Sequence, residues 1–250
     1  MKISVLASGS KGNSTYIEGN NAKILIDLGM TNSYIEDKLN SIGVDPDSIN
    51  AIFITHTHTD HIAGIKVFIK KHNPVVYLTK EMYLELKDIV KDYVILEDKV
   101  TISDLTINYF KTSHDTSSSV GYIITSTNTS FVYVTDTGYI NVKNFPELTN
   151  KNMYVFESNH DVSMLMNNER YPYQTKMRIL GDEGHLSNVQ SSDYLKRLVG
   201  DNTKYIILAH LSEQNNSPEL AFNTLKNKLN NENVNIMIAS QNERTELVEV

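Results

Sequence analysis

Three histidines and one aspartate lie within six consecutive residues of this chain, in the order His56-x-His58-x-Asp60-His61. Imidazole nitrogens and carboxylate oxygens are common metal ligands, so this stretch is a candidate metal site. Side chains two residues apart share a face only on extended chain, which places His56 and His58 just after a strand over residues 51–54. A helix that begins near Asp60 would turn the chain, so that Asp60 and His61 could address a second ion.

Other candidate ligands follow apolar, strand-like runs at the point where each run ends. Asp27, Asp136 and His210 each come directly after such a run, and His114 comes four residues after one. An aspartate at the end of a strand is more often a turn former, so one example alone would carry little weight. Their recurrence predicts that these side chains meet at one rim of a sheet, where rigid elements can hold a common site.

The composition limits the chemistry that such a site can use. The chain has 250 residues, 23 Lys and Arg against 30 Asp and Glu, a formal charge of −7, eight His and no Cys. Without Cys there is neither a thiolate metal site nor a disulfide-linked partner, so any bound ion has nitrogen and oxygen ligands. That donor set suits Zn, Mn or Fe and does not choose among them.

Charge and hydropathy also constrain the partners and the location. Sequence-independent binding of nucleic acid draws on Lys and Arg, so the acidic balance argues against a tight non-specific grip on DNA. No apolar run approaches the roughly 18 residues that span a bilayer. The first residues also lack the apolar segment of a secretory signal. We therefore expect a soluble, cytoplasmic protein that makes no contact with a membrane.

The apolar pattern alternates short, strand-like runs with helical periods. β-branched and aromatic residues dominate the short runs, which favours strands. The stretch 99–135 lacks a helical period, and this predicts a meander of antiparallel strands. The predicted strands cover residues 3–7, 24–26, 51–54, 75–78, 106–110, 122–124, 131–134, 153–156, 205–209 and 236–238.

Capping signals predict where several helices begin and end. Two serines have the capping-box spacing and a third precedes a first-turn proline, in the pairs Ser33 with Glu36, Ser187 with Gln190, and Ser217 with Pro218. The helix after His61 should end at Asn73-Pro74, with His72 as a helix-end residue. The Asn-rich segment from Asn230 to Asn235 predicts a turn. No linker-like stretch interrupts the pattern, so we expect one α/β domain over residues 1–250.

The His-x-His-x-Asp-His stretch, taken in order with the residues at the strand ends, resembles the metallo-β-lactamase-fold hydrolases. The resemblance implies an αββα sandwich with two metal ions at one edge. It implies that His56, His58 and His114 hold the first ion, that Asp60, His61 and His210 hold the second, and that Asp136 bridges them. Asp27 would lie behind the ligands and orient them. In such a site a hydroxide shared by the ions is the nucleophile, and both ions stabilise the developing charge.

Further segments are similar to the YycJ/WalJ group of bacterial exonucleases within that superfamily. The segments that carry this similarity are 8–14 (SGSKGNS), 157–161 (ESNHD), 184–188 (GHLSN) and 210–216 (HLSEQNN). The similarity implies a 5′-to-3′ DNA exonuclease, whose substrate is DNA with a 5′ end. It also implies a phosphodiesterase that needs no serine nucleophile.

These segments contain further candidate catalytic and substrate-binding residues. His160 and His185 could each donate a proton to a leaving oxygen, or could be structural imidazoles near a helix start. Asp60 is the third catalytic candidate. The small Gly-rich turn over 8–14 suits phosphate, although it could equally be a plain connection between two strands. The candidate substrate contacts are Ser10, Lys11, Asn13, Arg178 and Ser212.

Two other functions fit the same sequence. The acidic balance is compatible with a hydrolase of a small ester, a lactone or a cyclic nucleotide, which would need a narrow pocket instead of a groove for a strand. A metal-bound scaffold that regulates partners without turnover is the alternative outside the enzymes, because function depends on a site and not on a fold.

Overall fold

The computed structural model describes residues 1–229, 231 and 233–250. In the Asn-rich segment that predicted a turn, Asn230 lies outside the described residues, Asn233 lies in a turn, and Asn235 instead begins a strand. The strands are β1 (Lys2–Ala7), β2 (Ser14–Glu18), β3 (Lys23–Ile26), β4 (Ala51–Phe53), β5 (Val75–Leu78), β6 (Tyr93–Ile95), β7 (Val100–Ile102), β8 (Leu105–Lys111), β9 (Val120–Thr125), β10 (Ser130–Val134), β11 (Met153–Glu157), β12 (Tyr205–Ala209), β13 (Asn235–Ile238) and β14 (Val248–Glu249). The helices are α1 (Asn32–Asn40), α2 (Thr59–Ile62), α3 (Ile65–His72), α4 (Lys80–Leu86), α5 (Phe145–Leu148), α6 (Val162–Asn167), α7 (Tyr173–Leu180), α8 (Asn188–Leu198) and α9 (Pro218–Leu229), with 3₁₀ turns at Pro46–Ser48 and Val142–Asn144.

The strands form two mixed sheets in the described part of the chain. The first has the order β14-β1-β2-β3-β4-β5-β6, and the second has the order β13-β12-β11-β10-β9-β8-β7. In the first sheet β3 to β6 run parallel, and in the second β10 to β13 run parallel. The predicted meander is confirmed, since β7, β8, β9 and β10 pair antiparallel in sequence order.

Two apolar cores make this a four-layer αββα arrangement, as the sequence predicted. In β11, Met153 and Val155 pack into the core shared by the two sheets, whereas Tyr154 and Phe156 pack into a second core with α8 and α9. Successive side chains of a strand point to opposite faces, so each central strand of the second sheet is buried on both sides. This double burial explains why these strands read in the sequence as continuous apolar runs.

The capping predictions have mixed outcomes. Ser187 and Gln190 form the predicted capping box of α8, and α9 begins at the predicted Pro218. The capping box of Ser33 and Glu36 is wrong, because Thr31 is the residue whose side chain accepts the hydrogen bond from the Tyr34 N–H. Within the described residues, no helix combines the length and the apolar character that crossing a bilayer requires.

Glu36 has a different role, as the acceptor of a small ion cluster between α1 and α3. Its Oε1 lies 2.8 Å from Lys71 Nζ and 2.8 Å from His72 Nε2, and it accepts a hydrogen bond of 2.7 Å from Asn32 Nδ2. The other ring nitrogen of His72 contacts Asp47 in the 3₁₀ turn. The Lys71 ammonium, together with Asn32 and His72, lowers the pKa of Glu36 to about 2.

This lowered pKa predicts a pH-dependent contribution to stability. An unfolded Glu titrates near pH 4.3, so ionised Glu36 stabilises the fold above about pH 4.3, and the contribution is lost as the pH falls through about 2. We expect Glu36→Gln to lower the free energy of unfolding by roughly 1–2 kcal/mol at pH 6 and by less at pH 3. Urea titrations of metal-free protein measure this, with Asp37→Asn as the control on the same helix. A deficit that is constant from pH 6 to pH 3 would contradict the assignment.

Candidate active site

Three of the candidate site residues follow the ends of strands and have a backbone conformation that residues other than glycine rarely adopt. Asp27, Asp136 and His210 follow β3, β10 and β12 with φ values of 60°, 56° and 57°. Residues other than glycine rarely adopt this left-handed region, and holding one there costs on the order of 1 kcal/mol or more. The cost is concentrated where the two sheets present their strand ends, as is typical of functional sites.

The histidine stretch begins beyond β4, as its spacing predicted. His58 has extended backbone and precedes α2, which contains both Asp60 and His61. The glycine at position 29 allows this helix to pack closely, since a Cβ there would lie 1.6 Å from the carbonyl oxygen of Asp60. The turn at Asn13 is fixed to the same place, because its N–H donates to the Asp60 carbonyl at 2.8 Å.

Asp27 is fully buried and holds the histidine stretch from behind. Its Oδ1 accepts the Thr55 N–H at 2.8 Å, and its Oδ2 lies 2.7 Å from both the Thr55 hydroxyl and His61 Nδ1. These contacts leave His61 Nε2 to face the site, where it lies 3.1 Å from Asp136 Oδ2. Asp27 therefore lies on the side of His61 that faces away from Asp136, and the role in orienting metal ligands that the resemblance implied stays a prediction.

Removing the charge of Asp27 should weaken metal binding without removing a ligand. We expect Asp27→Asn to lower metal affinity about 10- to 100-fold, because partners behind a ligating imidazole fix its orientation and raise its basicity. Competition with a chromophoric chelator measures the affinity. Asp88→Asn, an exposed carboxylate remote from the cleft, is the control. Equal affinities of Asp27→Asn and wild type would contradict the role of Asp27.

The candidate ligand atoms form overlapping groups within 4.8 Å of one another. Four such groups occur in the described part of the chain: His56, His58 and His114; Asp60, His61 and His210; His56, His61 and Asp136; and Asp136, Glu157, His185 and His210. The first two groups are the two ligand triads that the resemblance implied. Asp136 belongs to the remaining two, and its Oδ1 also lies 3.4 Å from His210 Nε2.

The buried donor atoms of this cluster fit divalent cations. Among the described residues, His56 Nε2, His210 Nε2 and Asp136 Oδ2 are buried side-chain atoms that have no hydrogen-bond partner. Leaving polar atoms buried and unpaired is costly, so such atoms require a partner of another kind. Nitrogen and oxygen atoms converging from several directions are the donor set that a divalent ion would satisfy.

Glu157, the last residue of β11, is a site residue that the sequence analysis did not single out. Its side chain is fully buried, and Oε1 lies 2.7 Å from His185 Nδ1 and 3.3 Å from His210 Nδ1. Its Oε2 accepts the N–H groups of Thr137 and Leu186 at 3.0 and 3.2 Å. The pattern of acidic residues at strand ends, which identified Asp27 and Asp136, would also have identified Glu157.

The electrostatics of the Glu157–His185 pair favour an ionised carboxylate beside a protonated imidazole. Burial by itself would raise the pKa of Glu157, but the His185 imidazole and its hydrogen bond lower it to about 2. Burial would lower the pKa of His185, and the charge of Glu157 raises it instead. The pair therefore places a group that can carry a proton beside the candidate ligands.

An open cleft of about 290 Å³ lies over these groups. Its lining residues are Ser10, His58, Asp60, His114, Asp115, Asp136, Arg178, Ile179, Glu183, Gly184, His185 and His210. Asp115 is a second residue that the sequence analysis missed. Its carboxylate lies 3.7 Å from His58 Nε2 and 3.8 Å from Arg178 Nη1, so it links the histidine stretch to α7.

The structure separates the candidate catalytic histidines. His185 lines the cleft, with a side chain that is 20% exposed. His160 is fully buried, does not line the cleft and has no hydrogen-bond partner for either ring nitrogen among the described residues. His160 thus lies away from the cleft, and its ring nitrogens, unpaired among the described residues, also differ from the hydrogen-bonded structural histidine that was the alternative.

The candidate substrate contacts also divide into two sets. Ser10 and Arg178 line the cleft. Lys11 is exposed but paired with Glu213 at 2.7 Å, and Ser212 lines a neighbouring pocket. Asn13 is fully buried, and its amide bonds to both backbone groups of Gly9 and lies 3.0 Å from His61 Nε2. Asn13 is thus positioned to shape the turn and not to touch a substrate.

The two sheets with helices outside and the histidine–aspartate cluster at their strand ends define a protein of the metallo-β-lactamase fold. The chain matches the family model of the metallo-beta-lactamase superfamily over residues 7–210. This chain therefore belongs to the metallo-beta-lactamase superfamily, which confirms the resemblance stated from its motifs.

Two named relatives and one solved structure are similar to this chain over most of its length. The chain is 38% identical to an exodeoxyribonuclease WalJ of Streptococcus pneumoniae, over 91% of this chain and 88% of the relative. It is 34% identical to an exodeoxyribonuclease YycJ of Bacillus anthracis, over 88% of this chain and 86% of the relative. The crystal structure of the metallo-beta-lactamase fold protein YhfI from Bacillus subtilis has a TM-score of 0.75 at 17% identity, over 98% of this chain and 99% of that chain, and so shares the fold.

Proposed function

We propose that this protein is a cytoplasmic, metal-dependent phosphodiesterase that binds two divalent ions and removes nucleotides from the 5′ end of DNA. The observation that carries the proposal is the convergence, at one open cleft, of two ligand triads, a shared carboxylate and an ion-paired imidazole. The relatives at 38% and 34% identity are named exodeoxyribonucleases, which supports the same substrate.

The residues would divide the metals between them as the resemblance implied. His56, His58 and His114 would hold one ion, Asp60, His61 and His210 the other, and Asp136 would face both. Divalent ions bound there would polarise a phosphodiester and lower the pKa of the attacking water. We propose Zn, Mn or Fe as the metal, because the donors are nitrogen and oxygen atoms throughout.

His185 is the proton donor that we propose for the leaving oxygen. The sugar oxygen released from a DNA strand is a poor leaving group, so its departure requires a proton. Glu157 occupies Nδ1 of His185 at 2.7 Å, which leaves Nε2 as the ring nitrogen available to a substrate in the cleft. Asp60 would support catalysis as a metal ligand, since its Oδ2 lies 3.6 Å from His61 Nε2 and 3.7 Å from His210 Nε2.

Recognition of a 5′ end would use the polar groups at the rim of the cleft. Ser10 is exposed there, and Arg178 projects from α7, where its one ion pair with a described residue is a long one of 3.8 Å to Asp115. A guanidinium can bind phosphate oxygens bidentately, which suits a terminal phosphate. Lys11 could join only after its ion pair with Glu213 opens.

The test follows nucleotide release by protein reconstituted separately with Zn²⁺, Mn²⁺ and Fe²⁺. Single-stranded and duplex DNA, phosphorylated at the 5′ end and labelled at either end, distinguish the polarity of digestion, and metal-free protein is the control. We expect mononucleotides from the 5′ end and no release after chelation. Fully metallated protein that releases no nucleotide with any ion would contradict the proposal. Hydrolysis of cyclic nucleotides or small diesters without digestion of DNA would instead favour the small-substrate alternative.

A further inference from the structure

A second groove lies beside the cleft and shares a chain segment with it. The groove has a volume of about 250 Å³ and is lined by Lys111, Thr112, Ser113, Tyr139, Asn141 and Lys143. Residues 111–113 line this groove, and the next two residues, His114 and Asp115, line the cleft. We call this second groove the Tyr139 groove.

The backbone of the Tyr139 groove is fixed to the candidate metal site. Ser113 donates its N–H to Thr137 Oγ1 at 3.1 Å, and its carbonyl accepts the Gly138 N–H at 3.0 Å. The Thr137 hydroxyl donates to the Tyr139 carbonyl at 2.7 Å, while the Thr137 N–H donates to Glu157 at 3.0 Å. The groove is therefore held at a constant distance from the cleft.

The side chain of Tyr139 is partly exposed, and its ring does not stack on another described residue. The residue is 41% exposed, although large aromatic side chains usually bury most of their surface. It has no aromatic or cationic stacking partner among the described residues, whereas Tyr83 and Tyr93 stack on each other at 4.0 Å. A partly exposed aromatic residue whose backbone is fixed beside the cleft can offer its ring as a platform on which a nucleic-acid base stacks.

The charge of the Tyr139 groove is opposite to that of the whole chain. Its lining includes two lysines and no carboxylate. Neither lysine forms an ion pair with a described residue, whereas the cations nearest the cleft, Lys11 and Arg178, are paired with Glu213 and Asp115. Within a protein of charge −7, this is a local site for phosphate next to the site of phosphodiester chemistry.

The neighbouring surface limits how long a bound strand can be. On their other side Lys111 and Lys143 border a surface that includes Glu97, Asp98 and Glu147, whose charges repel phosphate. Lys111 is three residues from His114, so their Cα atoms lie at most about 11 Å apart at 3.3–3.6 Å per residue. A stacked strand rises about 3.4 Å per nucleotide, so this distance accommodates roughly three nucleotides.

We propose that the Tyr139 groove binds two to three nucleotides of the substrate strand beyond the scissile phosphate, with a base stacked on Tyr139 and backbone phosphates on Lys111 and Lys143. This inference rests on the proposed nuclease function and adds the site that separates a DNA strand from a small phosphodiester. The proposal also accounts for DNA binding by a protein of net negative charge, because a short local site would bind the strand in place of a long basic surface.

The test measures binding of single strands of increasing length to the metal-loaded enzyme. Non-hydrolysable phosphorothioate oligothymidylates of two, four, six and ten nucleotides carry a 5′ phosphate and a 3′ fluorophore, and anisotropy gives the affinity. We expect wild-type affinity to rise up to about four nucleotides and then to level off. Tyr139→Ala should weaken binding of the four-nucleotide and longer strands about 5- to 100-fold and that of the dinucleotide little. Tyr139→Phe should retain the wild-type affinities.

The lysines give an independent readout through the salt dependence. Each phosphate contact on a single strand contributes about 0.7 to the slope of log affinity against log salt, so Lys111→Gln with Lys143→Gln should lower the slope by about 1.4. Lys66→Gln with Lys70→Gln, two exposed lysines of α3, makes the same charge change elsewhere and should leave the slope unchanged. Turnover of bis(p-nitrophenyl) phosphate should stay within about twofold of wild type in every variant, because that substrate does not reach the groove.

The outcomes separate the two proposals. Wild-type enzyme that digests DNA while Tyr139→Ala shows the same length dependence would overturn the Tyr139 groove alone. Equal loss of affinity for the dinucleotide and the ten-nucleotide strand would also overturn it, since the defect would then lie in the cleft. Wild-type enzyme that turns over bis(p-nitrophenyl) phosphate but neither binds nor digests DNA would overturn the nuclease function and the groove together.

Discussion

Asp136→Asn is expected to lower turnover about 10³-fold or more and to reduce the bound metal below two ions per chain. Asp136 is 2% exposed, and its two oxygens lie 3.1 Å from His61 Nε2 and 3.4 Å from His210 Nε2. Asn keeps the volume but replaces one oxygen with an amide nitrogen, which cannot serve as a ligand, and removes the charge. Elemental analysis of the purified variant and turnover of bis(p-nitrophenyl) phosphate measure the two effects.

The control for Asp136→Asn must separate loss of metal from loss of fold. Asp136 holds an unfavourable backbone φ of 56°, and Asn tolerates this region about as well as Asp does, so we expect the fold to persist. Circular dichroism of the metal-free variant and of metal-free wild type should coincide. Full occupancy by two ions with unimpaired turnover would show that Asp136 does not serve both metals.

Glu157→Gln is expected to lower the rate of DNA digestion about 10²- to 10⁴-fold at metal concentrations that saturate the variant. Glu157 accepts from backbone N–H groups on one oxygen and pairs with His185 and His210 on the other, and Gln has only one oxygen for both tasks. His185 would thus lose the negative partner that stabilises its protonated form. The rate of nucleotide release, with metal content measured in parallel, is the primary readout.

A substrate with a better leaving group identifies the step that Glu157 supports. p-Nitrophenolate leaves without protonation, so the loss on bis(p-nitrophenyl) phosphate should be about tenfold or less. His185→Ala should show the same contrast, and the double variant should be little worse than either single variant, because the two residues act as a unit. Equal losses on both substrates, measured at saturating metal, would assign Glu157 a structural role instead.

Local sequence patterns predicted the placement of those residues whose position is set by a single short segment of the chain. The spacing from His56 to His61 requires extended chain followed by a helix, and both occur. The central strands were predictable because burial on both faces produces continuous apolar runs. By contrast, α7 was not predicted, although Tyr173, Met177 and Leu180 recur at helical spacing, and none of its residues is buried.

Contacts between distant segments were the part that the sequence could not predict. The position of Glu157 at a strand end is visible in the sequence, but its contacts with His185 and His210 depend on β11 lying between β10 and β12, which is a property of the sheet order. Asp115 meets Arg178 across a separation that no local spacing encodes. Asn13 illustrates the converse, since a Gly-rich turn suggested phosphate binding while its amide is used inside the turn.

The distribution of the candidate ligands over both sheets would make metal binding and docking of the two sheets one thermodynamic event. His56, His58 and His61 follow the first sheet, whereas His114, Asp136 and His210 follow strands of the second. An ion that binds ligands from both sheets binds only the docked state, so its binding free energy adds to the stability of the interface between the sheets. Bound metal would then hold the two sheets together as well as support catalysis. Chelation would weaken the packing of the two sheets at the edge where the cleft opens.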